Sequence, residues 1–351
     1  MIKIGIVFGG RSGEHEVSLV SASNVIKALD PEKYEVHLIG ITKDGKWVFG
    51  ADSLKALKKG SSEGLDEGDI MGRLSELDIV FPVLHGPYGE DGTIQGLLEI
   101  ANIPYVGCGV MASSIAMDKL MTKAVWEQAG LPQVPYTSVM RHDWEASRDT
   151  TAVMTSLEYP VFVKPANMGS SVGISKAKDE DGLRQAIDLA IRFDRKVVIE
   201  QGMDIREIEV AVLGNDNPEI GEIGEVLVGG EFYDFNDKYV DGKSSTQVPA
   251  DLTNEQRTAA RELAIQAFKT IDGSGMARVD LFLTKDGKFY LNEINTIPGF
   301  TSISMYPKMW EAAGTPYQLL IDRLIGLALE RHNEKSRNQI VFESGSDWYQ
   351  G

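Results

Sequence analysis

Four polar residues fall at spacings that would gather oxygen donors and one guanidinium on a single patch: Arg278, Asp280, Glu293 and Asn295. Between them Asp286-Gly287 is a strong two-residue hairpin signal, because both central positions of a type I′ turn require positive φ. Counting outward from that turn opposes Lys285 with Lys288, Leu283 with Tyr290, Asp280 with Glu293 and Arg278 with Asn295. Residues two apart share a strand face, so the four polar side chains project together. The other face carries Val279, Leu281, Leu283, Tyr290 and Ile294, with Asn292 the exception to its apolar character. Two carboxylates and an amide oxygen suit a hard cation such as Mg2+, which takes oxygen ligands and leaves positions for water and phosphate. The alternative is a solvated ion-pair ladder. Directly opposed carboxylates nevertheless repel unless something positive lies between them. A three-residue loop would slip the pairing by one and split the four between faces.

A chain of 351 residues with 42% apolar content is long enough for two or three packed units. Its net charge of -17 argues against nucleic acid or an anionic membrane as partner. A nucleotide needs only a local basic pocket and stays open. One cysteine, Cys108, excludes an internal disulfide framework and fits a reducing compartment. No signal segment stands at the start, and no apolar run reaches the roughly 18 residues of a membrane span. A soluble cytoplasmic protein is the expectation.

The elements that must position such a patch follow in order. Residues 2–8 read as a buried parallel strand. A glycine turn with Ser12 as N-cap then leads into a helix over 14–29. Glu14 falls in its first turn, either complementing the helix dipole or holding a ligand ammonium at a strand's carboxyl end. Strands are expected at 34–41 and 77–84, with helix and loop between 50 and 75. The second strand runs into His85 and a shaped Gly/Pro loop to Gly92; His85 is a structural histidine or a substrate contact. Helices follow at 93–102 and 113–129, the second stopped by Gly130-Leu131-Pro132. A strand at 160–165 ends in Lys164 and opens on a small-residue loop, 166–174. That loop wraps a phosphate with its N–H groups or is a plain hairpin turn; it is no P-loop. Further strands are expected at 196–200, 206–213 and 222–228, and helices at 183–193, 253–271 and 315–330. Residues 229–252 form a long polar stretch of the kind used as a lid. Thr253 with Gln256 makes a capping box.

Several motifs recur in one order: Gly9-Gly10-x-Ser12-x-Glu14, His85-Gly86-x-x-Gly89-Glu90-Asp91-Gly92, Met117-Asp118-Lys119, Val163-Lys164-Pro165, Gly169-Ser170-Ser171-Val172-Gly173, Lys238-Tyr239, Arg278-x-Asp280 and Asn292-Glu293-Ile294-Asn295-Thr296-x-Pro298-Gly299. Together they resemble the D-alanine–D-alanine ligase family and span residues 2 to about 325. The resemblance implies an ATP-grasp fold, mixing α/β and α+β, with an N-terminal doubly wound parallel-sheet domain over 1–118. A central subdomain would cover 119–212, and a C-terminal subdomain with lid and metal site 213–351.

It also implies roles. Lys119, Lys164 and Lys238 would contact ATP, with Ser170 and Ser171 over the phosphates. Glu200, Gln201 and Met203 would form the adenine hinge and Glu207 the ribose ligand. Asp280, Glu293 and Asn295 would hold two Mg2+ (or Mn2+). Glu14, His85, Lys238, Arg278, Ser304 and the Met305 backbone would bind the amino acids; leucine is frequent in the family where Met305 stands. Arg278 and the Gly299 N–H would stabilise the tetrahedral oxyanion. Tyr239, with Glu14 and Ser170, would favour a dipeptide product, or merely anchor the lid. The implied activity joins two D-alanines for peptidoglycan precursors. D-alanyl-D-lactate or D-alanyl-D-serine synthesis is the alternative within enzymes, and a nucleotide sensor without catalysis the alternative outside them. A homodimer is implied as well.

Overall fold

In the computed structural model, residues 1–227, 245–301 and 303–340 are described. The expected Lys238 and Tyr239, and most of the polar stretch around them, lie outside the described residues.

The first sheet has the order β3-β2-β1-β4. Its strands are β1 (Ile2–Gly9), β2 (Tyr34–Ile41), β3 (Trp47–Phe49) and β4 (Ile79–Pro82). β1 runs parallel to both β2 and β4. Its apolar run is continuous because both faces are covered. Ile4, Ile6 and Phe8 enter one core and Val7 another. Helix α1 (His15–Ala28) follows β1. Ser12 does not cap it: Glu14 occupies the cap position without a side-chain bond, and the Ser12 hydroxyl donates to the His85 carbonyl at 2.7 Å. The region expected as helix and loop holds α2 (Ser53–Lys58) and α3 (Ile70–Ser75), and α4 (Thr93–Ile100) follows β4.

The helix expected at 113–129 is two helices, α5 (Val110–Met117) and α6 (Lys119–Gln128). Asp118 breaks them apart with extended backbone. Its carboxylate caps α6 by accepting from the N–H groups of Leu120 and Met121, and it pairs with Lys196. A capping carboxylate inside a periodic run resembles an ordinary helical residue until its ψ is known.

The second sheet has the order β5-β8-β6-β7, comprising β5 (Tyr136–Met140), β6 (Val161–Pro165), β7 (Ser175–Ala177) and β8 (Lys196–Gln201). Three elements here were not foreseen: β5, α7 (Arg141–Ser147) and α8 (Thr150–Val153). Helix α9 (Glu180–Ala190) covers this sheet through Leu183, Ala186 and Ile187.

The third sheet, β11-β10-β9-β12-β13, is antiparallel throughout. Its strands are β9 (Ile205–Gly214), β10 (Glu219–Leu227), β11 (Ser245–Gln247), β12 (Gly275–Thr284) and β13 (Phe289–Asn295). β9 crosses residue 212 without interruption and pairs along its length with β12. Helix α10 (Asn254–Thr270) packs beneath, with the expected Thr253–Gln256 capping box formed. Ile208, Val210, Val279, Leu281 and Phe268 share the resulting core.

The central hairpin departs from its expected turn. Thr284 N–H donates to the Lys288 carbonyl at 3.0 Å and Gly287 N–H to the Thr284 carbonyl at 2.9 Å. The loop is therefore three residues, with only Gly287 at positive φ (83°). Leu283 accordingly opposes Phe289, not Tyr290, and Leu281 opposes Leu291. Phe289 and Leu291 fill the core and Tyr290 faces away. A bulge at Asn292 then supplies one extra residue, so Asp280 opposes Glu293 and Arg278 opposes Asn295 as counted. Helices α11 (Met305–Ala312), not foreseen, and α12 (Tyr317–Lys335) close the chain.

Candidate active site

A cleft of about 800 Å3 lies between the second and third sheets. Its walls come from Phe162, Lys164 and Lys176 on one side and from Glu207, Glu209, Asp280, Phe282 and Glu293 on the other. The link from β8 to β9 closes one end through Gln201, Gly202 and Met203. Gly202 is needed there, since a Cβ would come within 2.6 Å of the Pro160 carbonyl.

The third sheet places its polar face by register. Asp280 stands between Glu209 on β9 and Glu293 on β13. Three carboxylates in a row require positive charge. Arg278 supplies part of it, donating to Asp280 through two nitrogens at 2.7 Å each and lying 3.3 Å from Glu209. Burial works against the charged guanidinium, but Asp280 and Glu209 outweigh it and hold its pKa well above the ordinary value. Lys119 lies 3.4 Å from Glu293 and donates to the Met168 carbonyl at 2.9 Å. Asn295 donates to Asp280 at 3.1 Å. Among the described residues no three His, Cys, Asp or Glu side chains gather as a metal cluster. Asp280, Glu293 and Asn295 are the residues whose oxygens could hold a cation, with both Asp280 oxygens here accepting from Arg278.

Glu200 lines the same cleft, yet its carboxylate is only 3% exposed and lies between two lysines. Lys123 reaches one oxygen at 2.8 Å and Lys164 the other at 2.6 Å. Burial alone would push Glu200 up, but the two ammonium groups hold it down at about 2. Burial also draws both lysines down; at Lys164 Glu200 and Glu293 reverse the shift, while at Lys123 burial prevails. Asn292, turned into the cleft by the bulge, accepts from Lys164 at 3.2 Å. Sequence reasoning missed Lys123, Asn292 and Glu209. The i, i+4 spacing of Lys119 and Lys123 was the available signal for the first.

The loop between β6 and β7 carries Ser170 and Ser171 at φ values of 50° and 58°. They are the central residues of a tight turn that the Val172 N–H closes on the Gly169 carbonyl at 3.1 Å. The Ser170 hydroxyl donates to Glu14. Glu14 is also cradled by glycines: a Cβ on Gly86 would lie 2.7 Å from its carboxylate, and one on Gly169 2.9 Å. The loop from the second sheet thus meets the first helix of the chain.

His85 stands beside Glu14 with both ring nitrogens engaged, at 3.0 Å from the Ser21 hydroxyl and 3.3 Å from the Ile297 carbonyl. Burial draws its pKa down against the pull of Glu14. A neutral ring donating from Nδ1 to Ile297 and accepting from Ser21 fits both contacts. His85 therefore ties α1 to the loop bearing Gly299. Gly299 approaches Ser304 so closely that a Cβ would sit 2.8 Å from its hydroxyl, which accepts from the Thr301 N–H at 3.0 Å. Ser304 in turn precedes Met305, the first residue of α11.

Two family models cover most of the chain. The model described as D-ala D-ala ligase N-terminus matches residues 3–108, and that described as D-ala D-ala ligase C-terminus matches 125–326. A D-alanine–D-alanine ligase of Heliobacterium modesticaldum is 50% identical, covering 95% of this chain and 96% of its own length. The chain belongs to the D-alanine–D-alanine ligase family. A Thermoanaerobacter member of that family is 49% identical over 95% of this chain and 98% of its own. Among solved structures, the Coxiella burnetii D-alanine–D-alanine ligase superposes with a TM-score of 0.81 at 35% identity, covering 96% of each chain. The VanG D-Ala:D-Ser ligase of Enterococcus faecalis gives 0.83 at 36%, covering 93% of this chain and 99% of that one. The two sheets around the cleft are the ATP-grasp fold of the family. No helix among the described residues is long and apolar enough to cross a membrane.

Proposed function

We propose that this enzyme joins two D-alanine molecules through a D-alanyl phosphate, with ATP as phosphoryl donor. The contact between Ser170 and Glu14 carries the reading. It links the small-residue loop expected over the phosphates to a carboxylate suited to an amino acid's ammonium. Phosphate donor and carboxylate acceptor then meet beside the cations Arg278, Lys119 and Lys164.

A carboxylate in water is a poor electrophile, and phosphorylation turns it into an acyl donor. Acceleration of that step rests on alignment and charge neutralisation. Lys119 and Lys164 hold the phosphates, with Lys238 a third contact. Gln201 and Met203 offer backbone to the base, beside Glu200, and Glu207 holds the ribose. Glu14 orients the first amino acid and Ser304 with the Met305 N–H receives the second carboxylate. Arg278 and the Gly299 N–H stabilise the oxyanion formed when the amine attacks. Tyr239 completes the set with Ser170 and Glu14. Asp280, Glu293 and Asn295 are the hard oxygen donors that would hold two Mg2+ or Mn2+. Such ions would supply neutralisation of phosphate charge. We further infer a cytoplasmic homodimer, which sedimentation equilibrium and cell fractionation test.

Phosphate release from ATP should depend on both Mg2+ and D-alanine, with dipeptide formed in step. Turnover of ATP indifferent to D-alanine would remove the reading. A second reading, a D-alanyl-D-serine ligase, draws on the likeness to VanG. Competition between D-serine and D-alanine as second substrate decides between them.

A further inference from the structure

Lys123 lies behind the cleft wall instead of in it. It lies one turn beyond Lys119 on α6 and its side chain is 1% exposed. Its ammonium lies 2.8 Å from Glu200 and 5.2 Å from the centre of the Tyr136 ring. Tyr136 and Glu200 are register partners across β5 and β8, so the charge and the ring approach Lys123 from one strand pair. A buried ammonium is costly, and an apolar side chain of similar volume would fill the space as well. The charge therefore has to be explained by what it does to its neighbours.

Glu200 has two oxygens and two lysines. If Lys164 were its only partner, the pair would be neutral and Lys164 would have little field left for a phosphate. With Lys123 on the other oxygen, the three groups carry a net positive charge, and only Lys164 of the two lysines faces the cleft. We propose that Lys123 is a positioning residue that holds Glu200 and so preserves an uncancelled positive charge on Lys164 for the nucleotide's phosphates. This rests on the reading of the cleft as an ATP site. It adds a residue that touches neither nucleotide nor amino acid.

The test is binding of MgATP and of adenosine to the full-length enzyme by calorimetry. Lys123→Met should weaken MgATP about tenfold or more, the scale of one charge-assisted contact, with adenosine affinity unchanged. Lys123→Arg should restore MgATP binding. Lys123→Gln keeps a donor to Glu200 without the charge and carries the same comparison if the Met variant does not fold. MgATP binding at parental strength in folded Met or Gln variants overturns the proposal. So does equal weakening of ATP and adenosine, which marks a structural role. A parent enzyme that binds no MgATP would instead sink the ATP reading itself.

Discussion

Arg278 shows how one side chain serves two purposes. Its fork satisfies Asp280 with two bonds, as guanidinium geometry allows and an ammonium does not. Its remaining charge faces a cleft lined by Glu209 and Glu293. Arg278→Lys should lower kcat for dipeptide formation about 100-fold, the loss typical of one oxyanion donor. Steady-state kinetics beside circular dichroism checks this, and an unchanged kcat would confine Arg278 to holding Asp280. Glu90 makes a pH-dependent prediction. Its carboxylate accepts from the Gly86 N–H at 2.8 Å, and burial together with Glu14 pushes it up to about 8. The folded protein then keeps a proton that the unfolded chain releases near about 4.3. Its stability contribution is whole below that value and is lost as pH rises to about 8. Glu90→Gln should therefore flatten the fall in melting temperature over that window. A slope identical to the parent's would place the proton elsewhere.

The hairpin shows why elements resist prediction by counting. The three-residue loop and the bulge at Asn292 each shift the register by one, in opposite senses. The polar face keeps the pairing that a two-residue turn predicts because these shifts cancel, while the residues nearer the turn do not. The bulge also explains Asn292: the extra residue turns its amide toward Lys164 instead of leaving it on an apolar face. Asp118 is a similar case, a cap hidden in a helical period. Caps with a two-residue signature are easier to read. Thr253 and Gln256 satisfy each other's backbone, at 3.2 and 3.0 Å. Thr253→Ala should cost about 1 kcal/mol, read as a lower urea midpoint at constant m, with Michaelis constants unaltered. A shift in the ATP constant would mean that α10 transmits to the cleft.

Across the whole molecule, the two ends of the chain share a core. Ile4, Ile6 and Phe8 of β1 pack in one cluster with Leu320, Ile321 and Leu324 of α12. Lys33 and Tyr34 both reach Asp322 on the same helix. Arg331 fastens the junction further along, bonding the Gly107 and Tyr105 carbonyls and the Ser274 hydroxyl with its charge 4.2 Å from the centre of the Tyr105 ring. A site divided among three sheets needs such ties, because a small relative rotation would part Glu14 from Ser170. Arg331→Met should destabilise by roughly 2–3 kcal/mol in denaturant unfolding, leaving carbonyls without their donor. Unchanged stability would show that the apolar core alone fixes the ends.

The sequence by itself determined the family, most of the strands and helices around the cleft and the common face of Arg278, Asp280, Glu293 and Asn295. The family follows from the order of the motifs, the elements from local periodicity and spacing. Tertiary structure alone decided that His85 spends its nitrogens on Ser21 and Ile297, that Lys123 stands behind Glu200, and that α12 completes the core of β1. Each joins residues far apart in the chain, and local periodicity carries no record of which distant groups a fold will press together.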